Sequence, residues 1–327
     1  MADDANRVSD QYPELFHYTN VSAFESIYTS QTFWATHYQD LNDSSELRRF
    51  RPKLSEFITP YIRKLFDKRI LGDATLAEEV ARRGGIDSVV EQESVNHLMN
   101  LHRQTFGEGA FQETFICSFC AHSAQAYEAT HGLLSQWRGY GTDGGVAIVL
   151  DTRGIEEKMA HEKNVFAHPI NHIGDVKYDD DDAGIRKAFW EVFDYFPEIL
   201  DAFYSDQEPG YEKLFDHFVQ GSTLVKHHGF NQENEVRIVV SPRPTNPDAI
   251  FYNHAHDAKL TKVIRFRRRG DSESRYIELF GEASFPIKRI IVGPSRIQNL
   301  NYQRISDLVA GSEAKLEVVK SETPFVG

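Results

Sequence analysis

The stretch Gln232-Glu233-Asn234-Glu235-Val236-Arg237-Ile238-Val239-Val240 joins a pair of glutamates to a run of β-branched apolar residues. The apolar run predicts a buried strand, and side chains two residues apart on a strand lie on the same face. We therefore expect Glu233 and Glu235 to lie side by side at a cleft that this strand borders. Such a pair is typical of a site that needs an acid and a base, or of one where each carboxylate has a cationic or hydroxylic partner. The alternative is a solvated start of a strand.

Length and composition are those of a globular protein. The 327 residues, with 40% hydrophobic and 26% charged side chains, are enough to bury a sizeable core. The start Met1-Ala2-Asp3-Asp4 lacks the basic and apolar regions of a signal peptide, and no apolar run is long enough to span a bilayer. The sequence therefore predicts a cytoplasmic protein with no membrane partner.

Charge argues against broad binding to nucleic acids, because the net charge is −13 and phosphate binding depends on lysine and arginine. One local exception is Lys262-Val263-Ile264-Arg265-Phe266-Arg267-Arg268-Arg269. This basic strand would either contact a phosphate or protect a sheet edge from aggregation.

The two cysteines, Cys117 and Cys120, form a single C-x-x-C motif. With no second pair they make a poor zinc site. The apolar stretch 115–120 predicts a strand, which would place the two thiols on opposite faces. We expect both to be buried packing residues.

The order of predicted elements indicates an α+β fold. Helical periodicity predicts two helical insertions, at about 44–105 and 183–225, within one domain that spans 1–327. A helix that begins at a capping-box-like Ser22-x-x-Glu25 and another at 299–308 are also predicted. The predicted strands are 15–19, 32–37, 115–120, 145–151, 173–178, 249–252, 260–268, 275–280, 288–292 and 316–320.

A second cluster combines aromatic and cationic side chains between glycines. Gln136, Trp137, Arg138 and Tyr140 lie just before the predicted strand at 145–151. A planar ligand with phosphates would use the rings for stacking and the guanidinium for a phosphate. The alternative interpretation is an aromatic anchor with a structural arginine ion pair.

Asn42 and Asp43 open the first helical insertion. They are either an N-cap pair or, if that helix start faces the cleft, part of an anion site. His17 and His37 lie at the ends of the first two predicted strands.

Six short motifs together resemble a widespread bacterial family of unknown function, which is in turn similar to the ADP-ribosyltransferase superfamily. The resemblance spans the chain from about residue 14 to its end. The motifs are Phe16-His17-Tyr18-Thr19, Trp34-Ala35-Thr36, Leu41-Asn42-Asp43, Ser135-Gln136-Trp137-Arg138-Gly139-Tyr140, Glu233-x-Glu235-x-Arg237 and Ile290-Ile291-Val292-Gly293-Pro294.

The resemblance implies an ADP-ribosyltransferase-like split β-sheet core that uses NAD as co-substrate and needs no metal. It implies that Glu235 is the catalytic glutamate, that Glu233 orients the acceptor and that His17 contacts the ribose. Tyr140 or Trp137 would pack on nicotinamide, and Arg138 would meet the pyrophosphate. The other motif residues expected near the co-substrate are Tyr18, Thr19, Trp34, Asn42, Asp43 and Gln136.

Two departures from the superfamily limit the analogy. His17 is followed by Tyr18 and not by the glycine of the poly-ADP-ribose-polymerase branch, and the middle motif is not the Ser-Thr-Ser of the arginine-modifying toxins. The acceptor, whether protein, nucleic acid or water, therefore does not follow from the resemblance.

The chemistry itself is coherent. Cleavage of the nicotinamide–ribose bond develops positive charge on the sugar, which a nearby carboxylate stabilises. The expected function is mono-ADP-ribosylation of a macromolecule, or hydrolysis of NAD, with a toxin-like or phage-defence role implied by the resemblance.

Two other functions stay open at this point. A metal-dependent hydrolase or nuclease would use His17, His37, Asp43 or His227 with the glutamates, although the chain has no His-Glu-x-x-His motif. A catalytically inactive module that binds NAD or ADP-ribose is the third candidate.

Overall fold

A ten-stranded mixed β-sheet organises the protein. The computed structural model describes residues 7–41, 46–107, 111–141, 144–243, 258–269, 272–281, 285–311 and 315–324. The strands in these ranges are β1 Glu14–Asn20, β2 Thr32–His37, β3 Phe115–Ala121, β4 Gly145–Asp151, β5 Ile170–Asp175, β6 Lys177–Tyr178, β7 Val225–Lys226, β8 Glu235–Ser241, β9 Arg265–Arg269, β10 Ser272–Phe280, β11 Ile287–Val292 and β12 Glu317–Lys320. Strands β6 and β7 form a separate parallel pair.

Helices connect the strands and cover the sheet. The α-helices in the described ranges are α1 Val8–Gln11, α2 Val21–Ser30, α3 Phe50–Ile70, α4 Ala74–Arg82, α5 Ile86–His102, α6 Tyr127–His131, α7 Leu134–Tyr140, α8 Thr152–Val165, α9 Asp182–Ala188, α10 Trp190–Phe203, α11 Phe215–Leu224 and α12 Gln298–Val309. None of these helices is long and apolar enough to cross a membrane.

The sheet forks at β3. One edge of β3 pairs along its length with β8, which in turn pairs with β5. The other edge is shared, because β2 pairs with Phe115 and Ile116 whereas β1 pairs with Cys120 and Ala121. The first branch continues from β1 through β4 and β11 to β12, and the second continues from β2 through β10 to β9. We call the gap on this edge, at residues 117–119, the fork.

One face of the sheet is apolar across both branches. Alternate residues of the strands, such as Leu15, Phe119 and Ile148, contribute to a single core with residues of α2, α8 and α12. The strand period of two explains why these residues share a face. This face, which we call the covered face, is closed by helices.

On the opposite face of the sheet, helices pack in two separate places. The helices from α3 to α5 and from α9 to α11 pack on Ile116, Ile170 and Val239, and α3 directs every fourth residue from Phe50 to Phe66 into this core. The short helices α6 and α7 pack with Phe16, Cys120 and other residues of the β1 branch. Between the two parts, the charged side chains of Glu235 and Arg237 on β8 are buried.

Much of the predicted organisation is confirmed. Strands are found at 14–20, 32–37, 115–121 and 145–151, and both segments predicted as insertions are helical. Cys117 and Cys120 are buried on opposite faces. The basic strand β9 lies at one end of the strand order. That the whole chain forms one domain stays a prediction.

Several boundaries differ from the predictions. Helix α2 is capped by Asn20, whose side chain accepts from the Ala23 N–H, so the predicted capping box at Ser22 is wrong. The strand predicted at 260–268 begins only at Arg265, and 249–252 lies outside the described residues. Strand β8 begins at Glu235, and Glu233 belongs to the 3₁₀ helix His228–Glu233. The two glutamates therefore do not share a strand.

Candidate functional site

Four charged side chains meet on the opposite face of the sheet, between its two apolar parts. The Arg237 Nε donates to Glu235 Oε1 at 2.8 Å, and its Nη2 donates to Glu235 Oε2 at 3.0 Å. The Lys226 Nζ donates to Glu235 Oε2 at 2.9 Å and to Glu233 Oε2 at 2.8 Å. Glu235 is 4% exposed, Arg237 2% and Lys226 7%. Two carboxylates and two cations thus form a quartet, in which Glu235, Arg237 and Lys226 are buried and Glu233 is partly exposed.

The quartet keeps Glu235 ionised. Burial on its own would raise the pKa of this carboxyl, but the charges of Arg237 and Lys226 and a hydrogen bond from the Ser118 side chain lower it to about 2. A buried carboxylate with these partners is stable only while both cations stay in place. Glu235 therefore serves as the fixed negative centre of the site.

Local backbone geometry brings Glu233 to the same lysine. Asn234 has a left-handed φ of 41°, which ends the 3₁₀ helix and redirects the chain into β8. Its side chain donates to the Ala121 carbonyl at 2.9 Å, and the Glu235 N–H donates to the Tyr178 hydroxyl at 3.2 Å. The predicted convergence of the two glutamates is present, although it arises through a turn and not through the strand period.

A cavity of about 390 Å³ opens beside Glu233. We call it the carboxylate cleft. Tyr140 from α7 and Phe230 from the 3₁₀ helix are 50% and 40% exposed there. The Lys226 Nζ lies 4.6 Å from the centre of the Phe230 ring. The lining residues are Ser135, Gln136, Gly139, Tyr140, Gly229, Phe230, Gln232 and Glu233.

The carboxylate cleft has the chemistry of a site for a planar polar ligand. Its volume lies in the range of small-molecule sites. Two aromatic rings offer stacking surfaces, and Gln136 offers an amide that both donates and accepts. A larger cavity, of about 740 Å³, lies between β12 and the start of α12. That cavity is lined by neither of the paired glutamates, so the carboxylate cleft is the better candidate site.

Trp137 is an anchor of the core. It is 1% exposed, its Nε1 donates to the His131 carbonyl at 3.0 Å, and its ring packs edge-on against Tyr18. The Tyr18 hydroxyl accepts from the Leu133 N–H at 2.8 Å and bonds His122. The suggested stacking of Trp137 on nicotinamide is therefore corrected, and the aromatic-anchor interpretation holds for this residue.

His17 lies on the other side of the sheet from Glu235. Its ring packs against Phe33 and Phe119 of the covered face, and its Nδ1 lies 3.2 Å from the Ser118 carbonyl oxygen in the fork. Burial lowers the pKa of this imidazole to about 4. The structure does not bring His17 to Glu235; the β1 residues on the Glu235 face are Phe16 and Tyr18.

The remaining predicted ligands are dispersed. Gln136 and Tyr140 line the carboxylate cleft, and Arg138 is exposed on α7. Thr19 lies near the end of β1, and Trp34 lies on the other branch of the sheet. The predictions for Asn42 and Asp43 concern positions outside the described residues.

The residues proposed as metal ligands do not lie together either. His37 is buried on β2, with its Nε2 3.1 Å from the Gln112 carbonyl oxygen, whereas His17 lies on β1 in the other branch of the sheet. Asp43 lies outside the described residues. Within the described ranges, one group has suitable ligand atoms near one another: Asp179, His227 and His228. Asp179 already bonds His228 and Arg49, and His227 Nδ1 accepts from the Gly229 N–H, so each of the three side chains has a hydrogen-bond partner.

Sequence reasoning gave no role to Lys226, Phe230, Tyr178 or Arg237. Arg237 had a usable signal, because an arginine two residues after Glu235 on an apolar strand shares its face and needs a partner. Lys226 and Tyr178 had no such signal in the sequence, because the pairing of β6 with β7 brings them to the site.

Residues 136–238 match a family of unknown function. The family model is described as "Protein of unknown function (DUF2971)". The matched segment begins in α7 at Gln136 and ends in β8, so it contains most of the carboxylate cleft and the whole quartet. The match supports the resemblance to a family of unknown function. No curated protein matches the chain. No solved structure matches it.

Proposed function

We propose that the carboxylate cleft binds NAD and that the protein cleaves its nicotinamide–ribose bond, either to transfer ADP-ribose to a macromolecule or to hydrolyse NAD. The observation that carries the proposal is the position of Glu233. Its carboxylate lies in the wall of a cleft that also contains Tyr140, Phe230 and Gln136. The forked sheet supports the proposal, because a split sheet is what the resemblance to ADP-ribosyltransferases implies.

Each side chain then has a physical task. The rings of Tyr140 and Phe230 hold the nicotinamide ring, and the Gln136 amide bonds its carboxamide. When the bond between the ribose C1′ and the nicotinamide nitrogen breaks, its electron pair goes to that nitrogen. The sugar becomes cationic, and the Glu233 carboxylate stabilises that charge until a nucleophile attacks C1′.

This assignment reverses the roles expected from the sequence. Both oxygens of Glu235 accept from cations, whereas Glu233 is bonded by Lys226 at one oxygen and faces the cleft. We therefore assign the direct contact with the sugar to Glu233. Glu235 positions Lys226 and Arg237, and Lys226 in turn holds Glu233.

A binding module without catalysis is the second candidate. The observation that favours it is the balance of the quartet, in which two carboxylates are matched by two cations. If Lys226 stays bound to Glu233, its charge opposes the stabilisation of a cationic sugar.

The experiment measures NAD binding and nicotinamide release on the same protein. Isothermal titration calorimetry gives the affinity for NAD, and chromatography of the incubated mixture gives free nicotinamide. Binding with release supports the enzyme, and binding without release supports the module. Absence of binding at millimolar NAD contradicts both candidates. The acceptor and the toxin-like or defence role stay predictions.

A further inference from the structure

An exposed aromatic stack lies on the second branch of the sheet. The Trp34 ring of β2 stacks on Tyr276 of β10, with 4.3 Å between ring centres and 29° between planes. Tyr276 is buried beneath it, whereas Trp34 is 41% exposed. The Arg267 guanidinium of β9 lies 5.6 Å from the centre of the Trp34 ring. A large exposed indole held rigid by a buried ring is a preformed stacking surface.

Register places this stack on the same face as the quartet. Tyr276 pairs with Thr36, and Thr36 pairs with Ile116 of β3. Two residues further along β3, Ser118 pairs with Arg237. Because residues two apart on a strand share a face, Trp34 and Glu235 lie on one face of the sheet.

Positive charge accompanies the ring. Arg265 pairs with Tyr276 across β9 and β10, so Arg265 and Arg267 lie on the face of Trp34, whereas Arg268 lies on the opposite face. Arg265 is half exposed and contacts Glu278 at 3.2 Å. Glu278 lies on the same face, but the two arginines outnumber it, so this surface has local positive charge on a chain with a net charge of −13. We call Trp34, Tyr276, Arg265 and Arg267 the Trp34 platform.

We propose that the Trp34 platform binds single-stranded nucleic acid, with a base stacked on Trp34 and the adjacent phosphates on Arg265 and Arg267. Proteins that bind single strands combine aromatic stacking surfaces with cations that follow the backbone. A duplex does not fit this chemistry, because its bases are already stacked and cannot lie on the indole. A strand bound here lies on the same sheet face as the carboxylate cleft.

The test is direct binding in the absence of NAD, so that it is independent of the proposed reaction. Fluorescence anisotropy of a labelled single-stranded oligothymidine is measured over a series of KCl concentrations. We expect Trp34→Ala to weaken binding by about ten-fold or more, whereas Trp34→Phe, which keeps a ring, retains most of the affinity. Arg267→Ala should weaken binding and lower the slope of log affinity against log salt by about one.

Arg268→Ala is the matched control, because it removes the same charge from the same strand on the other face. We expect it to change the affinity by less than about two-fold, in line with a screened charge remote from the site. Thermal melting of every variant separates lost binding from lost folding.

Four results overturn the proposal: no binding by the wild-type protein at low salt, equal losses for Arg267→Ala and Arg268→Ala, equal competition by duplex DNA, or equal competition by polyglutamate. The last result would instead identify a surface for acidic peptides. If wild-type binding is absent but nicotinamide is released from NAD, the platform fails while the proposed reaction stands.

Discussion

The two faces of the β-sheet differ in how they are closed. The covered face carries one continuous apolar core beneath α2, α8 and α12. The opposite face carries two separate cores, and the quartet of Glu233, Glu235, Lys226 and Arg237 lies between the strands and helices of these two parts. The same strands build both faces, so the difference lies in alternate residues of β3 and β8.

The difference indicates where function is located. Buried ion pairs stabilise a fold less than apolar packing of the same volume does, because both charges lose their hydration. A face that could have been closed with apolar side chains instead keeps four charges beside an open cleft. Such a departure from the rest of the fold is expected at functional sites.

The largest expected effect is a loss of stability when a buried ring is removed from the covered face. Phe119→Ala removes a buried ring and should lower the free energy of unfolding by about 3–5 kcal/mol. Because Phe119 points away from the carboxylate cleft, NAD affinity measured well below the melting temperature should not change. Urea unfolding and calorimetry on one preparation measure both quantities. A loss of NAD affinity in the folded variant would show that the covered face contributes to binding, and it would return His17, which packs on Phe119, to the site.

On the opposite face, a substitution in the quartet should lower the free energy of unfolding by a similar or slightly smaller amount than Phe119→Ala does. Arg237→Ala leaves Glu235 buried with Lys226 as its cation, which should cost about 3 kcal/mol or more of unfolding free energy. Arg304→Ala is the control, because it breaks an exposed pair with Glu25 and should cost less than about 1 kcal/mol. Equal losses for the two arginines would mean that the quartet is not buried.

The next expected effect is a loss of stability at acid pH, caused by protonation of Glu235 in the quartet. The folded pKa of Glu235 is about 2, below its ordinary value of 4.5. Its contribution is therefore fully present above about pH 4.5 and is lost as pH falls through about 2, a change of about 3 kcal/mol. The free energy of unfolding is measured by chemical unfolding at about pH 5 and at about pH 3. Between these pH values it should fall less for Glu235→Gln than for the wild-type protein. Identical losses would show that this carboxylate is not held ionised.

The smallest effect concerns ligand stacking. Tyr140→Ala should weaken NAD binding by about ten-fold, the equivalent of about 1.4 kcal/mol, because it removes one ring from the cleft. Tyr140 is half exposed, so the melting temperature should hardly change. Tyr127→Ala, which removes an equally exposed tyrosine from α6, should leave both quantities unchanged. If the two variants bind NAD equally, Tyr140 does not hold the ligand.

Local structure was largely predictable. The strands around residues 15–19, 32–37 and 145–151 follow from alternating or continuous apolar runs, and helix α3 follows from apolar residues at spacings of three and four. Each of these patterns is a property of consecutive residues. The opposite-face burial of Cys117 and Cys120 likewise follows from the strand period alone.

The composition of the site was only partly predictable, because it depends on which strands pair. The order of strands around β3 fixes which β1 residue faces Glu235, and that residue is not His17. Glu233 reaches Lys226 through a turn at Asn234 whose left-handed φ no apolar pattern predicts. Trp137 and Tyr140 look alike in the sequence, yet one is buried and the other is exposed. The difference comes from tertiary packing, because Trp137 packs against Tyr18 of β1 whereas Tyr140 lines the carboxylate cleft.

The role of Glu233 is tested by Glu233→Gln. The amide keeps the shape of the side chain and removes the charge that faces the carboxylate cleft. If Glu233 stabilises a cationic sugar, the rate of nicotinamide release at saturating NAD should fall by about 10²–10³-fold, while calorimetry shows NAD binding close to wild type. Release at the wild-type rate by this variant would contradict the account.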